Sequence, residues 1–336
     1  LPIRPATKLF YSVAGRTVLI NTYDDWSTTA VSRLLAGWFL TALPSQTQVS
    51  HAISVSVRCG VAPPQVPVDL PHFEITNGGT CYTNNETYWV TFDRSLIVFG
   101  GGRDSEVNLW VDQPYDIASY KVAQLLSHAL SPALRRCNIF EIHSAGVTVP
   151  GGKDAIMITG PSGCGKSTLT AQLASRGWGY LSDDILLLHE TGQEIEARAF
   201  RRFFALTADT MMAVNLPQSM PEKTGGLKER VTPQEHFDKD PIQCAVPRAI
   251  IFPSITGELR SRTNSLTAAE SMRRLLRLCP WASYDKPTSA VHLRVLGTLV
   301  NTTTAFELFA GRDILDDSKI AAEVVYGVAE KHAVTR

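Results

Sequence analysis

Residues 155–188 read AIMITGPSGCGKSTLTAQLASRGWGYLSDDILLL, and the order of patterns inside this stretch decides the fold class. The apolar run Ala155 to Thr159 predicts a short buried strand. Gly160-Pro-Ser-Gly163-Cys-Gly165 then turns the chain. Lys166 to Arg176 predicts a helix, which Gly177 is placed to end in the left-handed conformation. A second apolar run, Leu181 to Leu188, predicts another buried strand, interrupted near its start by Ser182-Asp183-Asp184. Strand, glycine-rich turn, helix and strand in succession is the sequence pattern of an α/β sheet.

The turn is a full GxxxxGK[ST] match from Gly160 to Ser167. Its residue types suit the capture of nucleotide phosphates. Glycines let the backbone curl until successive N–H groups point inward, forming an anion nest at a helix N-terminus. The cradle runs over Gly160, Ser162, Gly163, Cys164 and Gly165. Lys166 adds positive charge for the β- and γ-phosphates, Ser167 offers a hydroxyl to Mg²⁺, and Thr168 is in reach of the α-phosphate. ATP and Mg²⁺ are the cofactors this implies. Neither an LSGGQ-type signature nor an NKxD sequence is present, which disfavours a transporter ATPase and a GTPase switch. Asp183 and Asp184, placed within the second strand, are costly to bury unless they meet cations. Alternate strand residues point oppositely, so the two carboxylates are expected to do different work. One can hold Mg²⁺ or its water, and the other can accept a hydroxyl proton or pair with Lys166.

Downstream, Ala249 to Phe252 predicts a third apolar strand ending at Pro253. Thr267-Ala-Ala-Glu270 is a capping box opening a helix whose buried face carries Met272, Leu275, Leu276 and Cys279. Arg273, Arg274 and Arg277 read as ordinary helix surface. The polar stretch from Met220 to Asp240 reads as a structureless lid or binding loop, in which Lys228 and Arg230 are candidates to face a transferring phosphoryl group. Upstream the chain is β-rich. Leu9–Val13 and Arg16–Asn21 predict strands joined tightly at Ala14-Gly15. Asp24-Asp25 opens a helix with Val31, Leu34, Leu35 and Trp38 as its stripe. Gly78-Gly79, Asn84-Asn85 and Gly100-Gly101-Gly102 punctuate an antiparallel meander ending near Asp112. Tyr82, Tyr88, Trp89 and Trp110 within it read as core or sheet packing. A helix from Ile117 to Leu134 then leads out of this part. The division is a β-rich α+β domain over residues 1–130, suited to acceptor recognition, and a nucleotide-binding domain over residues 131–336.

Composition narrows the function classes. The 336 residues carry 32 basic and 32 acidic side chains, 44% hydrophobic residues and 19% charged ones. That is globular rather than disordered composition. A net charge of zero gives no global footprint for nucleic acid. The longest apolar run, Leu34 to Leu43, falls short of the roughly 20 residues that span a bilayer, and the N-terminal residues lack a signal-peptide design. Six cysteines without a CxxC pair read as small core side chains in a reducing compartment. No nucleic acid, no membrane and a cytoplasmic location are the expectations.

Residues 141–188, EIHSAGVTVPGGKDAIMITGPSGCGKSTLTAQLASRGWGYLSDDILLL, resemble the nucleotide-binding core of HPr kinase/phosphorylase and its wider kinase relatives, which include precursor-peptide serine kinases of the lasso type. The matching features are the histidine before a small-Gly step, the GxSGxGKS loop, the helix ending in Arg-Gly, and the Asp-Asp pair. The resemblance implies an α/β, HPr-kinase-like P-loop domain preceded by a smaller β-rich α+β domain. It also implies that Lys166 and Ser167 are the phosphate lysine and the Mg²⁺ hydroxyl. Asp183 becomes the catalytic carboxylate, Asp184 its neighbour in the metal shell, and His143 a catalytic histidine near the γ-phosphate. The family's second signature, of the EIRGLG type, has no glycine-containing counterpart. The nearest segment is Glu194-Ile-Glu196-Ala-Arg198-Ala-Phe-Arg201-Arg202, and neither glutamate is assigned. Arg198, Arg201 and Arg202 suit either a phosphate or a solvated strand face. The expected activity is ATP- and Mg²⁺-dependent phosphoryl transfer to a serine of a protein or precursor peptide. A small-metabolite hydroxyl kinase and a non-catalytic nucleotide-binding scaffold are the alternatives. The resemblance also admits a homo-oligomer.

Overall fold

Ala14 and Gly15 both adopt positive φ, 48° and 72°, the geometry of a two-residue hairpin turn whose twist matches the flanking strands. They join β1 (Thr7–Val13) to β2 (Arg16–Thr22), with Val13 opposite Arg16. The computed structural model describes residues 5–38, 40–44, 53–75, 79–102, 106–117, 119–217 and 228–334. It divides into a unit of residues 1–140 with 280–291, and a unit of residues 141–279 with 292–336. The chain is a mixed α/β protein with two large sheets.

The first unit is built on one nine-stranded sheet, with the order β3-β1-β2-β4-β9-β8-β7-β6-β5. After β2 come α1 (Asp25–Leu35), β3 (Thr41–Leu43) and β4 (Ile53–Cys59). Asp24 caps α1 in a capping box with Ser27. The expected meander is β5 (His72–Ile75), β6 (Gly79–Thr83), β7 (Thr87–Phe92), β8 (Ser95–Gly100) and β9 (Val107–Val111), each strand antiparallel to the next. Gly78, expected among its turns, lies outside the described residues. Tyr88 is buried and stacks on Phe99 at 4.9 Å between ring centroids, so it packs the unit's interior. The helix α2 (Tyr120–Arg136) buries Val122, Leu125, Leu126 and Leu130. A returning piece of chain completes this unit. It contains α7 (Trp281–Tyr284) and Asp285, whose buried Oδ2 accepts from Arg135 Nε at 2.7 Å and Arg136 Nη1 at 2.6 Å. Trp281 lies under the Arg135 guanidinium, and Phe73 stacks on Tyr284 at 3.7 Å. Sequence periodicity carries no sign of this return, because its residues are aromatic and charged in no repeating order.

The second unit opens with β10 (Ile139–Thr148), β11 (Asp154–Thr159), α3 (Lys166–Ser175), β12 (Gly179–Ser182), β13 (Ile185–Thr191) and β14 (Glu194–Ala199). It continues with β15 (Phe204–Thr207), α4 (Ala208–Ala213), β16 (Lys228–Val231), α5 (Pro233–Phe237), β17 (Cys244–Ile255), β18 (Arg262–Leu266) and α6 (Ala268–Leu278). Beyond α7 follow α8 (Lys286–Thr302), β19 (Thr304–Ala310), α9 (Arg312–Asp316) and α10 (Ser318–Val334). β17 is the spine, parallel to β11 on one side and β19 on the other. It runs on past Pro253, where a strand end was expected. The pairing with β11 stops at Ile251, so the proline sits where only β19 still pairs, and its missing N–H costs less there. Thr267 and Glu270 form the expected capping box of α6.

Two further expectations are corrected. The segment expected to be a structureless loop to Asp240 contains β16, paired antiparallel with β15, and α5. Val231 and Phe237 reach a core with Phe204 and Leu206, and that burial orders the segment. Residues 218–227 lie outside the described residues. Asp183 and Asp184 are not strand residues but occupy the break between β12 and β13. The Ser182 hydroxyl accepts from the N–H groups of Asp184 and Ile185, so a local side-chain bond replaces the ladder. Among the described residues, no helix is long and apolar enough to cross a membrane.

Candidate phosphate site

The end of β11 is fixed from both sides, with Ile158 opposite Ala145 of β10 and Ile251 of β17. From this anchored strand the chain turns through Gly160–Gly165 into α3. Gly163 and Gly165 hold φ of 82° and 95°, a region closed to most side chains. Gly160 is needed for another reason, since a Cβ there would stand 2.9 Å from Cys164 Sγ. Gly165 is the N-cap of α3 and brings no side-chain cap. The first N–H groups and the positive end of the helix dipole therefore face the loop, where an anion satisfies both.

The helix is held on two faces. Leu169 and Leu173 join one core with Ile156, Ile158, Ile251 and Phe306. Ala171 and Ala174 join another with Tyr180, Phe204 and Met211. A helix buried on both faces has little freedom to tilt, and this fixes the direction of its N-terminus.

Within the loop, Lys166 is buried and its Nζ donates to the carbonyl oxygens of Gly160 at 2.8 Å and Pro161 at 2.9 Å. Ser167 Oγ donates to the Asp183 carbonyl oxygen at 3.4 Å. Thr168 Oγ1 lies 2.8 Å from Thr210 Oγ1 of α4, a partner without a motif of its own in the sequence.

The acidic pair divides by environment. Asp183 is 2% exposed. Its Oδ2 accepts from the Ala205 N–H at 2.9 Å and its Oδ1 from the Tyr180 hydroxyl at 3.3 Å. That hydroxyl also lies 2.8 Å from the Phe203 carbonyl oxygen. Burial, with Asp183 beside it, holds the Tyr180 phenol well above its ordinary range, so it remains a hydrogen-bond donor. Asp184 is 27% exposed on its side chain, with His143 Nδ1 at 3.1 Å and Arg201 Nη1 at 2.8 Å. His143 lies on β10, and its carbonyl oxygen accepts from Thr159 Oγ1 at 3.1 Å. Loop, histidine, acidic pair and Arg201 thus gather at the C-terminal end of β11.

Other candidates lie on β14 and β16, the side chain of Lys228 lying outside the described residues. Arg198 pairs with Glu196, two residues away on β14. Arg230 lies on β16 with its guanidinium 3.8 Å above the Phe203 ring. Lys228 begins the same strand. Tyr180 and Thr210 were not singled out in the sequence. A tyrosine in an apolar strand just before two aspartates is the signal that marks the first, and nothing marks the second.

No protein-family model matches the chain. HPr kinase/phosphorylase of Nitrosomonas europaea is 39% identical to it over 75 residues, which is 22% of this chain and 21% of that protein. The chain therefore matches about a fifth of that curated relative's length. The Hpr(Ser) kinase/phosphatase from Coxiella burnetii aligns over 58% of this chain and 97% of its own, at 12% identity and a TM-score of 0.31. The resemblance read from the loop and the acidic pair is thus met by a curated relative: over those 75 residues the chain is similar to an HPr kinase/phosphorylase.

Proposed function

We propose that the chain is an ATP- and Mg²⁺-dependent kinase that phosphorylates a hydroxyl, with serine of a protein or precursor peptide as the acceptor. The observation that carries this reading is the strand–loop–helix junction at Gly160–Ser167, with two aspartates beside it at the break after β12. The residues suit the cofactor. Three loop glycines and an uncapped helix start form an anion cradle. Mg²⁺ keeps several waters and is held largely through the nucleotide phosphates, so the Ser167 hydroxyl would be one of its protein ligands. When bound, ATP·Mg²⁺ supplies the phosphoryl group. Gly163, Gly165 and the first turn of α3 bind its phosphates, and Lys166 exchanges the Gly160 and Pro161 carbonyls for them. Asp184, the partly exposed carboxylate, takes the proton from the acceptor hydroxyl, with His143 and Arg201 orienting it. Asp183 positions the segment that carries Asp184. This moves the proton acceptor from Asp183, where the sequence reading put it, to Asp184, and gives Asp184 that role in place of the metal shell, because Asp183 is buried while Asp184 keeps an exposed side. The first unit is proposed to recognise the acceptor.

The test is transfer from γ-labelled ATP into a size-fractionated extract of cells that carry the protein, beside Lys166→Ala. Label in a peptide or protein fraction, lost with the variant, is the expected result. Label in a small organic molecule assigns a metabolite kinase, and ATP that binds but retains its label overturns the kinase reading.

A further inference from the structure

The helix α6, whose basic face reads in sequence as plain surface, borders a cleft of about 470 Å³ in the second unit. Its lining includes Gly160 and Pro161 at the start of the phosphate loop, Phe252 on β17, and Arg273, Arg274 and Arg277. The arginines differ in what holds them. Arg274 Nη2 pairs with Glu307 Oε1 at 2.9 Å and its guanidinium lies 5.4 Å from the Phe252 ring, so its charge is answered within the unit. Arg273 and Arg277, one turn apart and exposed, have no carboxylate within ion-pair distance among the described residues. Glu270, the acid on the helix, is engaged by the Thr267 N–H and hydroxyl in the cap, both at 2.8 Å, and is within electrostatic reach of Arg273 without pairing with it.

We propose that this cleft seats an acidic segment of the acceptor polypeptide, with carboxylates flanking the acceptor hydroxyl held by Arg273 and Arg277. The inference deepens the kinase reading and rests on it for the word acceptor. The place of the cleft carries the argument. It opens on Gly160 and Pro161, the two residues whose carbonyls hold Lys166 Nζ. On the proposed function that lysine leaves these carbonyls for the β- and γ-phosphates, so the cleft borders the start of the phosphate loop. A ligand here lies against the first residues of that loop. The chemistry agrees with the place. Two exposed guanidiniums without an ion pair among the described residues, above a partly apolar floor, suit a peptide that brings both carboxylates and a few carbons. A neutral peptide offers these guanidiniums no carboxylate partner.

The test is fluorescence anisotropy with two labelled synthetic peptides of equal length, each with a central serine, flanked by glutamates in one and by glutamines in the other. A fluorescent ATP analogue with Mg²⁺ is titrated separately. The glutamate peptide is expected to bind at least about tenfold tighter than the glutamine peptide, with the difference fading as salt rises. Arg273→Gln/Arg277→Gln is expected to abolish the preference and leave the ATP analogue's affinity unchanged, with circular dichroism confirming the fold. Arg273→Lys/Arg277→Lys is expected to restore part of it. Equal binding of the two peptides, or a preference that survives the double glutamine variant, overturns the proposal. Loss of ATP-analogue binding in that variant, with the peptide preference intact, assigns the cleft to the nucleotide and also overturns it. Failure of the wild type to bind the ATP analogue counts against the kinase reading alone, since the peptide comparison stands without nucleotide.

Discussion

Asp183 and Asp184 are neighbours in sequence with opposite surroundings, and the difference is measurable. Asp184→Asn keeps the volume and removes the proton acceptor. Transfer is expected to fall by about 10²–10⁴-fold with nucleotide affinity little changed. Asp183→Asn instead sets an amide against the Ala205 N–H and the Tyr180 hydroxyl. The expected loss is about 1–3 kcal/mol of stability, read as a lower urea midpoint, with a smaller effect on transfer. The opposite ranking of the two variants in a rate assay would return the proton to Asp183. That the two carboxylates stand together beside the loop and α3 was legible from the sequence order. Which of them is open was not, because that depends on Ala205, placed by the pairing of β15 with β16, and on Tyr180, placed by the pairing of β12 with β10.

At the scale of elements, the loop and α3 follow from local chemistry, and so the sequence shows them well. Glycine is the residue that reaches φ of 95° without strain, so Gly165→Ala is expected to cost about 1–2 kcal/mol although its Cβ has room. The check is a chemical-denaturation curve beside the affinity for Mg²⁺·ATP, which should fall as well because the first N–H groups turn away. The helix α2 offers a pH test. Burial, helped by the positive Arg135, pushes the imidazole of His128 down to about 4. The folded ring stays neutral while an unfolded one takes a proton below about 6.5. Stability is therefore full above that value and falls as pH drops from 6.5 towards 4. His128→Phe, which keeps the stack on Phe92, is expected to flatten the fall in melting temperature over that window. Strand ends were less legible. β17 ignores its proline because the neighbouring strand has stopped, and β16 forms because Val231 finds Phe204. Both causes lie far along the chain.

At the scale of the whole molecule, the buried Asp285 is the tie that makes residues 280–291 part of the first unit. Burial opposes its charge, but the guanidiniums of Arg135 and Arg136 outweigh burial and hold its carboxyl below the usual range. Asp285→Ala leaves two buried guanidiniums without their anion and is expected to cost about 3–5 kcal/mol in a urea titration. A change under 1 kcal/mol would show that the trio is not the tie. No motif announces the pairing, since 149 residues separate Arg136 from Asp285. The same tie bears on how the protein is made. A ribosome finishes residues 1–140 before residues 280–291, so the unit lacks a strip that emerges only after residues 141–279 have been synthesised. The N-terminal part is then expected to remain partly bare until residues 280–291 emerge, so its completion is timed by the synthesis of the part that follows it.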